Sequence, residues 1–375
     1  MAKLVFVWDN FGPLHADRCD AVAKRFEGRR QVVGLEIAGR SKVYDWTPES
    51  GTRFKKMTLV TGRSMDEIPF SRRFSGLLRG CLSMGGDAQF FMCHYNDPAI
   101  FAVSSVLKLL GRRVYTLGCS KFDDYERNVR RELLKGILYF PYRGGIASGK
   151  RSRDYMRFIG LPASRVKSPY NAVSLDRIRK LAGAPPAPDG MPFRDRHFTI
   201  VARLVPKKNL SMALKATALY MRQVSNPRPL HIFGTGPLES ELREQTRAEG
   251  IAEIVHFRGF QQTAEISHAY GQSLALLLPS IEEQFGNVVP EAMGMGLPVI
   301  VSDNCGARDL LVRSGVNGFV IEPDNPDGMA FFMRLLSEDE TLWRAMSIAA
   351  HQFARKADVE RFAEAVEALV SESGR

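Results

Sequence analysis

Two carboxylates stand eight residues apart in EEQFGNVVPEAMGMGLPVIVSD (residues 282–303): Glu283 and Glu291. Glu283 falls in a loop just past the apolar run SLALLLPS (273–280), and Glu291 falls about one turn into a helix. Pro290 is tolerated in a first helical turn, so the helix starts near Asn287 or Val288. Gly296 and Pro298 stop it. A helix start offers N–H groups and a positive dipole end to an anion. Gly286, having no Cβ, lets the backbone approach a ligand. Ionised carboxylates only accept hydrogen bonds, so they suit the vicinal hydroxyls of sugars. A bare pair of glutamates at this spacing is most simply two solvated side chains; its company argues otherwise. VARLVPKKNL places Arg203 just past a strand and Lys208 before a helix, two cations on one loop that can hold a diphosphate. IFGTGP sets Gly234 and Gly236 in a tight strand-to-helix turn, a weak fingerprint by itself. VHFRGF ends a strand at Arg258 and Gly259, with Phe260 next, where backbone can approach a flat base. Together these features suit a ligand with phosphates and two sets of hydroxyls, a nucleotide-sugar.

The elements that must hold these residues alternate. Strand patterns at 4–8, 31–38, 88–95 and 112–118 are separated by helical patterns, including a charged one over 124–136, and VKSPYNAVS (166–174) closes the half. After a Pro/Gly-rich stretch, LAGAPPAPDGMPF, the alternation resumes with strands at 197–204, 229–234, 253–260, 273–280, 298–302 and 318–323. The reading is parallel α/β twice over: 1–180 an N-terminal Rossmann-like domain on the acceptor side, 181–196 a linker, 197–350 a C-terminal Rossmann-like donor domain, and 351–375 a helix packing back on the first domain. Two doubly wound domains would face a central cleft, with ligands beyond the carboxyl ends of the strands.

A chain of 375 residues is too long for one ordinary core. At 45% hydrophobic and 25% charged residues it is a globular composition, not a disordered one. Charge is unevenly spread. Residues 1–180 hold 33 Lys and Arg against 17 Asp and Glu, a net of +16, and the rest nets −5. The first half therefore attracts anions, although general arginine richness is the plainer account. GRSMDEIPFSRRFSGLLRGCL (62–82) mixes four arginines with Ile68, Phe70, Phe74, Leu77 and Leu78, a pattern that fits an anionic membrane face or an ordinary surface helix. No aromatic–basic interleaving or helix-turn-helix pattern calls for nucleic acid. Five scattered cysteines without a CxxC, and the absence of a signal peptide or an ~18-residue apolar run, point to the cytoplasm, peripheral to the inner membrane face at most. There is no D-x-D and no His cluster of metal spacing, so no metal and no cofactor is expected.

In their order, VARLVPKKNL, IFGTGPLESEL, VHFRGF, LLLPSIEEQFGNVVPEAMGMGLPVIVSD and VNGFVIEPDN resemble the C-terminal domain of GT-B glycosyltransferases of family 4 over residues 197–325. The first half resembles the family more loosely, through its alternation and SPYNAVSLDRI. The resemblance implies a GT-B fold and retaining, metal-independent transfer from a nucleotide-sugar to a glycan, lipid-linked or other acceptor in surface-polysaccharide or glycolipid biosynthesis. It implies that Arg203 and Lys208 bind the diphosphate, Glu291 the ribose, and Glu283 the transferred sugar. Phe285, Gly286, Asn287 and Val288 lie under that sugar, Arg258, Gly259 and Phe260 meet the base, and Gly12 forms the glycine loop of the first domain. His15 and His94 are the acceptor-side candidates, each with an ordinary structural reading beside it. The chain departs from the family at TLGCSKFDD, which lacks a His, at Ser174, where an acid is usual, at Asp309, where Glu is common, and at its single-glycine NFGPLH loop. The competing readings are a GT-B-shaped nucleotide-sugar epimerase and, more remotely, a basic nucleic-acid-binding protein.

Overall fold

The computed structural model describes residues 1–41 and 51–371. The chain divides into two compact units, one of Met1–Ser174 plus the chain from Val359 onward, the other of Leu175–Asp358.

The first unit runs β1 (Lys3–Trp8), α1 (Pro13–Arg25), β2 (Gln31–Ala38), β3 (Lys55–Val60), α2 (Phe70–Leu82), β4 (Gln89–Met92), α3 (Pro98–Leu109), β5 (Arg113–Gly118), α4 (Val129–Leu134), α5 (Gly136–Tyr139), β6 (Gly144–Ala147), α6 (Lys150–Phe158) and β7 (Val166–Lys167). Its seven-stranded sheet has the order β3-β2-β1-β4-β5-β6-β7, with every pairing parallel. Successive residues of a strand face opposite sides, and both sides are buried here. Val5, Val7, Phe90 and Met92 belong to one core, and Leu4, Phe6, Trp8 and Phe91 to the other.

The second unit runs α7 (Leu175–Ala182), β8 (His197–Val201), α8 (Leu210–Gln223), β9 (Leu230–Phe233), α9 (Glu239–Ala248), β10 (Val255–Gly259), α10 (Thr263–Gln272), β11 (Ser273–Leu278), α11 (Val288–Gly294), β12 (Val299–Ser302), α12 (Arg308–Leu311), β13 (Gly318–Ile321), α13 (Pro326–Glu338) and α14 (Glu340–Ala354). Its parallel sheet has the order β10-β9-β8-β11-β12-β13. All six residues of β11 are buried, as a central parallel strand requires. The last helix, α15 (Val359–Ser371), belongs to the first unit. Phe362, Val366 and Leu369 enter the core beneath α1, and Glu367 pairs with Arg25 at 2.7 Å and Arg29 at 3.1 Å. Each such apolar side chain contributes about 1.5–3 kcal/mol on burial.

Several boundaries differ from the sequence reading. Residues 181–196 are part of the second unit, not a linker between domains. The Ala187 amide donates to Met295 O at 2.8 Å, and Arg196, fully buried, donates to Gly271 O and Ser273 O. The proline-rich sequence bars helix and strand only over 183–192, since α7 runs to Ala182 and Phe193–Asp195 form a 3-10 turn, and the segment is a packed belt. The division falls at 174/175 and again at 358/359; the expected start of the final helix, 351, lies inside α14. The charged helix expected over 124–136 is shorter. Asp124 binds the Lys121 amide and Arg127, holding 121–128 as a turn, and Asn128 caps α4 through the Arg131 amide.

Candidate functional site

In each unit the sheet order reverses beside its first strand, and ligands of open α/β sheets bind at that switch point. In the second unit the switch lies between β8 and β11. The loop after β8 carries Arg203 and Lys208, and the loop after β11 carries Glu283. The Lys208 ammonium and the Glu283 carboxylate form an ion pair between the two loops, both side chains mostly buried. The loops are tied by backbone as well, Ile281 N donating to Lys207 O at 2.9 Å. Asn209, in a left-handed conformation (φ 57°), fixes the lysine loop from below, its amide donating to Pro279 O and Pro323 O.

Glu283 is held on its other side too. Ser280 Oγ donates to its Oε2 at 3.4 Å, Gly306 N donates to Glu283 O at 3.1 Å, and Ala307 N donates to Phe285 O at 2.8 Å. Gly286 sits at φ 95°, where side-chain-bearing residues are strained, and turns the chain into α11. α11 begins at Val288 with Pro290 in its first turn, and its C-terminal hydrogen bonds close over Gly296. Glu291 lies one turn in, where Tyr270 Oη donates to it at 3.4 Å. Burial and the Glu291 charge raise the Tyr270 phenol well above its ordinary pKa, so it stays a donor. Arg203 is exposed at the mouth of the β8 loop. Arg258 and Phe260 are exposed at the end of β10, Arg258 lying 3.2 Å from His231 Nε2, and Gly259 O accepts from Gly234 N.

The first unit has its switch between β1 and β4, and an ion pair spans it as well. Asp9 follows β1, His94 follows β4 at φ 53°, and His94 Nε2 lies 3.0 Å from Asp9 Oδ1. The Cys93 sulfur and the Asp9 carboxylate hold the His94 imidazole well above its usual pKa; burial opposes them. Burial also opposes the shift of Asp9, which His94 nevertheless carries below the carboxylate norm. His15, the other acceptor-side candidate, has a structural task. Its Nδ1 accepts the Gly12 amide at 3.1 Å, closing the start of α1, and its ring packs at a tilt against Trp8. Burial and the Arg18 charge lower its pKa to about 3, so it stays neutral. Gly12 is buried, with ordinary extended backbone (φ −101°), and caps α1.

Sequence reasoning brought forward Arg203, Lys208, Glu283 and Glu291, but not Asp9, Asn209, Ser280 or Tyr270. Asn209 alone gave a local signal, an Asn directly between two lysines and a helix start.

Residues 190–372 match the family model described as glycosyl transferases group 1. These residues are a glycosyl transferases group 1 domain. All the donor-side candidates named above except Gly12 lie within this glycosyl transferase domain. The chain is 31% identical over 204 residues to an exopolysaccharide phosphotransferase of Streptomyces coelicolor, covering 51% of this chain and 21% of that protein. It is 28% identical over 172 residues to the poly(glycerol-phosphate) alpha-glucosyltransferase of Bacillus subtilis, covering 46% and 25%. The chain thus spans about a quarter or less of the length of these curated relatives. Anabaena HepE, solved with UDP and glucose, superposes with a TM-score of 0.73 at 18% identity over 99% of both chains, which shows the fold: GT-B. Among the described residues no helix is long and apolar enough to cross a membrane.

Proposed function

We propose that this protein is a retaining glycosyltransferase. It moves a sugar from a nucleotide-diphospho-sugar to a hydroxyl of a glycan or lipid-linked acceptor, in surface-polysaccharide or glycolipid biosynthesis. The observation that carries this reading is the Lys208–Glu283 pair, drawn from two loops at the switch point of the glycosyl transferase domain. The names of the relatives, which act in exopolysaccharide and poly(glycerol-phosphate) chemistry, support the acceptor class.

The pair places a cation and a carboxylate side by side where a sugar diphosphate has both an anion and hydroxyls to offer. Arg203 and Lys208 stabilise the charge that builds on the departing diphosphate, the effect that dominates such transfers. Glu283, held by Ser280 and the Gly306 amide, accepts from hydroxyls of the transferred sugar. Glu291, oriented by Tyr270, accepts from the ribose. Arg258, Gly259 and Phe260 meet the base, and the backbone from Phe285 to Val288 lies under the sugar. In the first unit, the Asp9–His94 pair offers one donor and one acceptor to the acceptor substrate. The diphosphate is neutralised by these side chains without a divalent cation.

The test is a thermal-shift screen against UDP-, GDP- and ADP-sugars in EDTA. A donor at 100 times its Kd stabilises by about 2.7 kcal/mol, a rise of roughly 5–10 °C for a unit of this size. A flat response to all three classes contradicts the donor site, and a response that needs Mg2+ contradicts the metal-independent mechanism.

A further inference from the structure

The basic amphipathic stretch 62–82 does not present the membrane face that its sequence offers. In the folded chain most of its apolar side is core: Ile68, Leu77 and Cys81 are buried, Phe74 and Leu78 pack on the core, and Arg73 pairs with Asp97 at 2.5 Å, which leaves Phe70 and Leu82 exposed at the two ends. Among the described residues a different surface of the same unit is left uncovered. α4 and α5 are pinned by their inward side. The Glu132 carboxylate accepts from Tyr155 at 2.5 Å, Lys135 at 2.8 Å and Arg127 at 3.1 Å, and Tyr139 is buried against Tyr95 and Tyr142. Their outward side is apolar. Leu133, Leu134, Ile137 and Phe140 are each 56–66% exposed. The tip of α3 joins them, Lys108 lying 3.6 Å from the centre of the Phe140 ring and Leu109 standing 79% exposed. A helix pair this firmly anchored normally turns such residues inward; exposed patches of this kind mark interaction sites.

We propose that the α4–α5 face docks on an anionic lipid leaflet. The charges decide the occupant. The one acid within α4 and α5 is Glu132, which is buried and paired, whereas Arg130, Arg131 and Lys108 are exposed beside the leucines. A second copy meeting this face about a two-fold axis would set these cations against their own images. An anionic leaflet accepts the apolar side chains and the cations together. The sequence around it carries the same sign, +16 over residues 1–180. The proposal goes beyond the transfer reaction, since the donor site needs no membrane, and it gives a lipid-linked acceptor a route to the enzyme.

The test is flotation of the full chain with vesicles of phosphatidylcholine alone or with phosphatidylglycerol added. The protein floats with the anionic vesicles, and binding weakens as salt rises from 0.05 to 0.5 M, shorter screening lengths cutting the attraction. Arg130→Glu with Arg131→Glu, and separately Leu133→Glu with Ile137→Glu, lower the bound fraction at least tenfold. Both variants keep the wild-type thermal midpoint and nucleotide-sugar binding, so failure here is separable from failure of the donor site. Arg72→Glu with Arg79→Glu on α2 floats normally. Absent flotation at low salt, or flotation unchanged by the α4–α5 variants or abolished by the α2 variant, overturns the proposal. So does a dimer in sedimentation that Leu133→Glu with Ile137→Glu dissolves, which would assign the face to a second copy.

Discussion

Lys208 shows what single residues carry here. With Glu283 it forms a pair whose two side chains are only 16% and 13% exposed, so each is the main compensation for the other's desolvation. Lys208→Met removes the cation but keeps the stem. It should cost about 1–3 kcal/mol of stability by leaving Glu283 unpaired, and lower donor turnover at least about a hundredfold by removing charge opposite the departing diphosphate. Calorimetry and nucleoside diphosphate release measure the two separately; turnover within about threefold of wild type would mean that Lys208 only holds the loop. The two residue types and their loops were legible in the sequence, because both follow strongly apolar strands. Their pairing was not, because 75 residues separate them and only the strand order β8-β11 brings them together. The same blindness hid Asp9 from His94.

At the scale of elements, the central strands were readable from apolar runs and the helix of the opening motif from its prolines and glycines. The edges were not. β3 begins Lys-Lys and is only partly buried, as an edge strand is, and β6 reads Gly-Gly-Ile-Ala, which mimics a turn. β8, β9 and β10 also bring three imidazoles together across the sheet, His197 stacked on His231 and His256 edge-on to it, a feature no local pattern announces. His197 and His231 ring centres are 3.8 Å apart, and His231 and His256 are 5.1 Å apart. Burial first, then the neighbouring imidazoles and Arg258, lower His197 to about 3; burial, then Arg258 and His256, lower His231 to about 4. These are bases with depressed folded-state pKa values. The unfolded chain takes up their protons at about 6.5, so the stability they carry is full above that pH and is lost as pH falls below it. The thermal midpoint of the second unit should therefore drop from pH 6.5 to 5, before ordinary carboxylates titrate. His197→Phe should make that drop shallower. An equal slope in both proteins would show that the imidazoles are not buried neutral in solution.

The whole molecule is two parallel-sheet units, each with an ion pair between the loops after its first and fourth strands. The second unit holds most of the residues that match the glycosyl transferases group 1 model and the proposed donor-side residues other than Gly12; the first holds the excess positive charge, the Asp9–His94 pair and the α4–α5 face. Charge asymmetry was visible in the sequence, but its location was not, because the stretch that looked amphipathic is spent on the core and the exposed one is pinned by Glu132. The proposed donor site is the β8–β11 switch point, with Glu283 on the transferred sugar. Glu283→Ala tests it most directly, by nucleoside diphosphate affinity and donor turnover on the same preparation. Affinity should stay within about threefold of wild type and turnover should fall at least about a hundredfold. Unchanged turnover would contradict this assignment.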